Sequence, residues 1–446
     1  MYALIGLVML LHILYLYWYF FKGRDRRAHE PPVVKGYIPF VGCVMSFVHN
    51  PLQFLTRMRA KHGAVVTVAM GNGHVTFILE PSLFPILLNG KTPFGNDIRG
   101  LLMDRVFGPL KLLKYNAAMY ALDKNQIFGI VNSADVSLKM MLKKPLKDGS
   151  YQMAWFCEQY MFTAVYHAIF GHTSDYVDEG VLKAFRDLRK YFYVLAMGVS
   201  PNLCPVVRDA LQVLIKYMDL CSISKRKKVS CLVNRRINFG KKIGMSKTEI
   251  EKDLLSLMWE THSDVVASAF WCLYHILNLD QSEQGAVIKE ARVDNCLGLG
   301  EQPLIMGIVN ESLRLHASSL ILRKVCEPIS IECKGGVDKR YDLRVGDTVG
   351  FYTPLAHNHG TVFKQPKVFL HKRPIGTSKH MYMPFGIGTV KCPGSSLATG
   401  ILQFFLTRIL SAYSLKLESK ANGKHLSITS KVEEPDYTVY LSLNQI

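Results

Sequence analysis

Apolar and polar positions along this chain fall into three regimes. From Tyr2 to Phe21 the residues are apolar at every position but His12. A run of that length predicts a helix able to span a bilayer. From about residue 80 to residue 300 apolar residues recur mostly at helical spacing, with loops marked by glycine and proline. The longest helix expected there runs from Lys247 to Asn278, opened by a capping box of Ser246 and Glu249. Uninterrupted, it would be about 48 Å long and must cross the core. Its middle, Met258 to Val266, carries a polar cluster between apolar flanks, which is costly when buried unless it is satisfied or used.

Strand patterns occupy the rest. Val65 to Leu79 is rich in β-branched residues and split by Gly71-Asn72-Gly73, which predicts a hairpin. Residues 318 to 352 read as strands with a turn at Lys334-Gly335-Gly336. Leu426 to Leu443 reads as a further hairpin broken by Pro435-Asp436. A helix is expected from Pro303 to His316. Pro31 to Pro39 is too dense in proline for helix and acts as a stiff spacer.

Composition narrows the class. With 446 residues, 49% of them hydrophobic, the chain can bury a large core. Lys and Arg outnumber Asp and Glu by 54 to 35, a net charge of +19. Such a balance suits nucleic acid, an anionic membrane surface or an acidic protein. The basic segment from Lys225 to Lys242 follows an apolar N-terminus, so a loop or membrane-surface patch is favoured over nucleic acid. Lys22, Arg24, Arg26 and Arg27 follow the apolar stretch and no basic residue precedes it. The positive-inside rule then leaves the remainder in the cytosol. A cleaved signal peptide would want a basic start and a small-residue cleavage site. The ten cysteines are scattered without metal-binding spacing, which points to reduced thiols.

One cysteine stands in a setting made for chemistry. Cys392 lies in Pro384-Phe385-Gly386-Ile387-Gly388-Thr389-Val390-Lys391-Cys392-Pro393-Gly394, just before an apolar run. Glycines let the backbone turn tightly and approach a flat ligand. Nearby amides and a helix start favour the thiolate. A thiolate so placed suits an axial ligand to haem iron. Glu311 and Arg314 share one helix face and can pair.

The order of anchor, proline hinge, long helix, Glu-x-x-Arg and cysteine loop resembles a microsomal cytochrome P450. Phe385, Gly388, Cys392 and Gly394 match the pattern Phe-x-x-Gly-x-x-x-Cys-x-Gly of that family. The resemblance implies a mainly α fold with small β-sheets and an N-terminal transmembrane helix. It divides the chain into an anchor (1–21), a basic, proline-rich linker (22–36) and a haem-thiolate catalytic domain (37–446). Cys392 would bind the iron of haem b, with Phe385, Gly386, Gly388 and Gly394 forming its loop and Arg323 meeting a propionate. Val390 stands where many relatives have a basic residue. Arg373 would complete a structural network with Glu311 and Arg314.

The central helix narrows the group. The acid-threonine pair that most members hold above the iron is here Asp264-Val265, without the threonine. Asp264, with Ser263, is the candidate for proton delivery, and Val265 occupies the partner position. Trp259 with Phe270-Trp271, and Cys392-Pro393-Gly394, resemble the cholesterol and oxysterol 7α-hydroxylases. The stretches Pro31 to Gly42 and Thr67 to Asn72 look most like those acting on 24-hydroxycholesterol. Residues 80–130 and 281–302 match poorly. The resemblance implies sterol hydroxylation with O2 and electrons from NADPH through cytochrome P450 reductase, at the endoplasmic reticulum membrane. It leaves open an isomerase of the prostacyclin-synthase type, which needs neither, and a haem-binding protein without turnover. Neither nucleic acid nor a second metal is expected.

Overall fold

The computed structural model describes residues 2–446 except 22–26, 37–41, 72, 88–93, 96, 113–114, 173–175, 197, 294–299, 334–338, 376–380, 389–390 and 421–431. Lys22, Arg24, Arg26, Asn72, Cys296, the turn at 334–336, Thr389, Val390 and most of the first half of the C-terminal hairpin therefore lie outside the described residues.

Helices build the larger part of the core. The central helix runs Lys247–Leu277, and the Ser246–Glu249 capping box is present in both directions. Its side chains are buried almost continuously from Ile250 to Ile276. It packs against Pro303–His316 and Ser395–Ala412, and the last of these lies on Lys124–Leu142. The nearby helical stretch Met153–Phe170 contains one wide π turn at Glu158–Phe162. Such turns shift side-chain facing by one position, and no pattern in the sequence announces this one.

A six-stranded sheet holds a second apolar cluster. Its order is Val33–Val34, Val65–Met70, Gly73–Ile78, Thr348–Tyr352, Leu320–Val325, Phe94–Gly95. The expected hairpin is there, closing with Met70 opposite Gly73. Val33–Val34, read as spacer, instead pairs in parallel with Thr67–Val68. The C-terminal hairpin is also assembled differently. Tyr440–Gln445 pairs with Tyr413–Leu417 and Gly149–Gln152, while Val432 makes an isolated bridge to Ala317. Partners that far away in sequence leave no local signature.

Tyr2–Phe21 forms one helix of 20 residues. Leu7 to Leu11, Ile13 and Leu14 are each more than half exposed on it. Among the described residues, no helix is long and apolar enough to cross a membrane.

The basic segment is partly structural. Arg236, on the helix Cys231–Lys242, is buried 2.7 Å from Asp253 of the central helix, with its guanidinium 4.6 Å from the Tyr120 ring centre. Burial pushes the Asp253 carboxyl up, and Arg236 pulls it back in part. Arg236→Met should destabilise the protein by about 3–5 kcal/mol, because it strands a buried carboxyl. Adding Asp253→Asn should recover a large share. Urea unfolding of both variants measures this, and equal loss in the two would refute it.

Candidate active site

Cys392 is exposed, whereas Ile387 before it and Leu397 after it are buried. Two glycines shape the approach, with Gly386 at φ 73° and Gly388 at φ 62°. Both values lie in the left-handed region that a side chain disfavours. The Cys392 amide donates to Phe385 O at 2.8 Å, the Gly386 amide to Met383 O at 3.0 Å and the Lys391 amide to Gly388 O at 3.1 Å. Gly394 caps the helix Ser395–Ala412, and a Cβ there would stand 3.8 Å from Cys392 Sγ. The loop thus presents a sulfur with glycine on its flank, at the positive end of a helix.

The loop is tied to the core through a continuous chain of hydrogen bonds. Glu311 and Arg314 are fully buried, and Arg314 Nε and Nη2 each donate to the carboxylate at 2.8 Å. Arg373 Nε donates to Glu311 Oε1 at 3.0 Å, and the Leu370 amide donates to the same oxygen at 3.1 Å. Arg373 also donates to the carbonyls of Lys364, Gln365 and Val368. Arg314 Nη1 donates to His357 O at 2.7 Å, and His357 Nε2 accepts from the Met383 amide at 3.0 Å. Met383 O then receives the Gly386 amide. Tyr382 Oη adds a second tie, donating to Asn310 O at 3.2 Å. His357 and Tyr382 were missed in the sequence because each acts across a long stretch of chain.

His357 must stay neutral to accept that bond. Burial, then the Arg314 charge, push its pKa down to about 3. The unfolded chain therefore takes up the proton first as pH falls. The stabilisation is whole above pH 6.5 and drains away as pH drops towards 3. We expect thermal stability to fall on acidification in that window. His357→Gln keeps an acceptor but does not titrate, and should make the fall shallower. Parallel slopes for the two proteins would refute the assignment.

The central helix presents one open stripe among buried neighbours. Glu260, Thr261 and Asp264 are half-buried, at spacings that share a face, while Val265 and Ser268 beside them are buried. Ser268 Oγ donates to Asp264 O at 2.7 Å, and Thr261 Oγ1 to Leu257 O at 2.9 Å, so both hydroxyls are engaged by their own helix. Ser263 is buried on the flank of this stripe. The structure thus brings Glu260, four residues before Asp264, to the same face as Asp264. The i, i+4 spacing of two acids was the available signal.

Arg323 lies on the strand Leu320–Val325, opposite Val349, with 1% of its surface exposed. Burial pushes its pKa down. The donor set fits a haem: a soft sulfur on an open loop for the iron, and a buried guanidinium of the kind that pairs with carboxylates. Among the described residues no group of His, Cys, Asp and Glu forms another metal site, and the described cysteines are all free thiols.

Comparison with known proteins agrees with this reading. Cholesterol 7-alpha-monooxygenase of Cricetulus griseus is 25% identical, with 90% of each chain covered. The 7-alpha-hydroxycholest-4-en-3-one 12-alpha-hydroxylase of Homo sapiens is 26% identical over 88% of each chain. Cytochrome P450 7B1 of Mus musculus is 24% identical, covering 98% of this chain and 95% of its own. The sequence model of the family described as Cytochrome P450 matches residues 115–439. With that match over most of its length, and with a cysteine loop and a buried Glu-x-x-Arg network behind it, the chain belongs to the cytochrome P450 family.

Proposed function

We propose that this protein is a haem-thiolate monooxygenase that hydroxylates a sterol or oxysterol, as the names of its relatives describe for them. The observation that carries the reading is the Cys392 loop, hung by hydrogen bonds from buried Glu311. Cys392 would ligate the iron and Arg323 would meet a propionate, with Phe385, Gly386, Gly388 and Gly394 shaping the seat. When bound, haem supplies the oxygen activation that no side chain provides.

The chain's own residues do the rest. Glu311, Arg314 and Arg373 hold the loop and take no part in the chemistry. Asp264, with Glu260 one turn away, holds and passes protons at its carboxylate oxygens. Val265 offers no hydroxyl, and Ser263 stands aside from the stripe. Trp259, stacked on Phe192 at 4.1 Å, contributes apolar wall. Electrons from NADPH would arrive through cytochrome P450 reductase, docked on a basic surface that includes exposed Lys391. The apolar helix Tyr2–Phe21 would anchor the protein in the endoplasmic reticulum membrane, with residues 22–36 as linker and the catalytic domain in the cytosol.

Two carboxylates on the open stripe favour hydroxylation over peroxide isomerisation, which needs no proton delivery. Sterol turnover with NADPH and reductase, and none without them, is the expected result. Product formed from an endoperoxide with neither present would establish the isomerase instead.

A further inference from the structure

Away from the iron loop, a cluster of buried polar atoms is left incompletely bonded. Arg189, on the helix Glu179–Ala196, is 3% exposed, and its Nη2 lies 2.7 Å from Glu434 Oε2. Despite that closeness, neither its Nη2 nor its Nε forms a hydrogen bond among the described residues, and neither Glu434 Oε1 nor Tyr352 Oη has a partner there. Arg189 and Glu434 stand against one another. Arg189 sits in the field of Glu434, Tyr437, Glu158 and Asp264. Tyr193, one turn on, is in the field of Asp264 and Glu434, and Tyr352 in that of Glu433 and Tyr193. The Arg189–Glu434 pair therefore lies within electrostatic reach of Asp264 on the open stripe.

Glu434 is held in place from behind. The Glu433 amide donates to His316 O at 2.9 Å, and Trp271 Nε1 donates to Glu433 O at 2.9 Å. Glu433 Oε2 lies 2.7 Å from His316 Nδ1. Tyr437 Oη donates to Glu158 Oε1 at 2.6 Å, pinning the far end of the segment. Glu434 has little freedom to find another partner.

Buried donors and acceptors are seldom left unmet, since each forfeits its hydration. The chemistry of the missing partner follows from what is unmet. Arg189 Nε–H needs an acceptor and Glu434 Oε1 needs a donor. An O–H group meets both needs at once. A carboxylate or sulfate answers only the arginine and meets the repulsion of Glu434 and Asp264. A hydrocarbon answers neither.

We propose that Arg189 and Glu434 form a subsite for a neutral hydroxyl of the substrate, so that the enzyme selects sterol alcohols over sterol acids, esters of strong acids and hydrocarbons. This rests on the sterol reading given above. The same hydrogen bonds are available to a bound water, and the experiment separates the two.

Haem-loaded full-length protein is titrated with cholesterol, its 3-methyl ether, cholest-5-ene and cholesterol 3-sulfate. Binding is read from the haem spin state and from quenching of tryptophan fluorescence. Cholesterol should bind ~10–100-fold more tightly than the ether or the hydrocarbon, the cost of leaving a buried polar group unmet, and the sulfate should not bind. Glu434→Gln, whose amide N–H can donate to an ether oxygen, should compress the alcohol-to-ether ratio to below ~3-fold and admit the sulfate. If ether, hydrocarbon and alcohol bind equally to the wild type, the occupant is water and the subsite is overturned, while the sterol reading stands. If none of them binds to protein that shows a thiolate-type carbon monoxide spectrum, both fall.

Discussion

Cys392→Ser should abolish the thiolate-type Soret band of the reduced, carbon monoxide-bound protein and, with it, turnover. The loop itself should survive. Its shape rests on amide bonds from Cys392 N, Gly386 N and Lys391 N, none of which uses the sulfur. The variant should therefore fold, keep most of its thermal stability in the apo form and lose haem more readily. Activity should fall by more than ~100-fold, beyond the cost of losing a supporting contact around a metal ligand. A variant that retains both the band and the activity would show that another group binds the iron.

Glu311→Gln is expected to have the largest effect on stability. Glu311 receives Arg314 twice, Arg373 and the Leu370 amide, and both Glu311 and Arg314 are without access to water. Neutralising it leaves two guanidinium groups facing one another with no anion between them. Breaking a buried ionic unit in this way costs about 3–5 kcal/mol, a large part of the stability of an ordinary protein. Loss should appear first at the cysteine loop, because Arg314 also fixes His357 and, through it, Met383. Haem release should accordingly precede global unfolding in a thermal melt followed by absorbance and circular dichroism. A melt in which the two signals coincide, at the wild-type temperature, would remove the network from its assigned role.

Much of this was legible in the sequence, for reasons that differ by residue. The central helix was readable because Ser246 and Glu249 cap it locally and nothing breaks it before Asn278. The hairpin at 65–78 was readable because β-branched alternation and a glycine turn act over a few residues. The Glu311–Arg314 pair was readable because both lie on one turn of helix. What escaped acts at a distance. His357 meets Arg314 and Met383, 43 and 26 residues away. Glu434 meets Arg189 across most of the chain, and the strand Tyr440–Gln445 pairs with Gly149–Gln152. The π turn at Glu158–Phe162 likewise leaves no trace in hydrophobic spacing. Glu260 escaped notice because it meets the face of Asp264 one helical turn away, not beside it in the chain.

The bonds that hang the cysteine loop from Glu311 have a consequence for how the molecule is made. Every member, from Glu311 through Arg314, His357, Arg373 and Met383 to Cys392, comes from the last third of the chain. On a ribosome the helices before residue 280 emerge first and can begin to pack. The iron seat is then completed near the end of synthesis, when those helices are already available as its template. Acquisition of the prosthetic group is thereby postponed until translation is nearly over. With Cys392 as the proposed ligand, a polypeptide cut short before residue 392 would carry the scaffold without the means to retain iron.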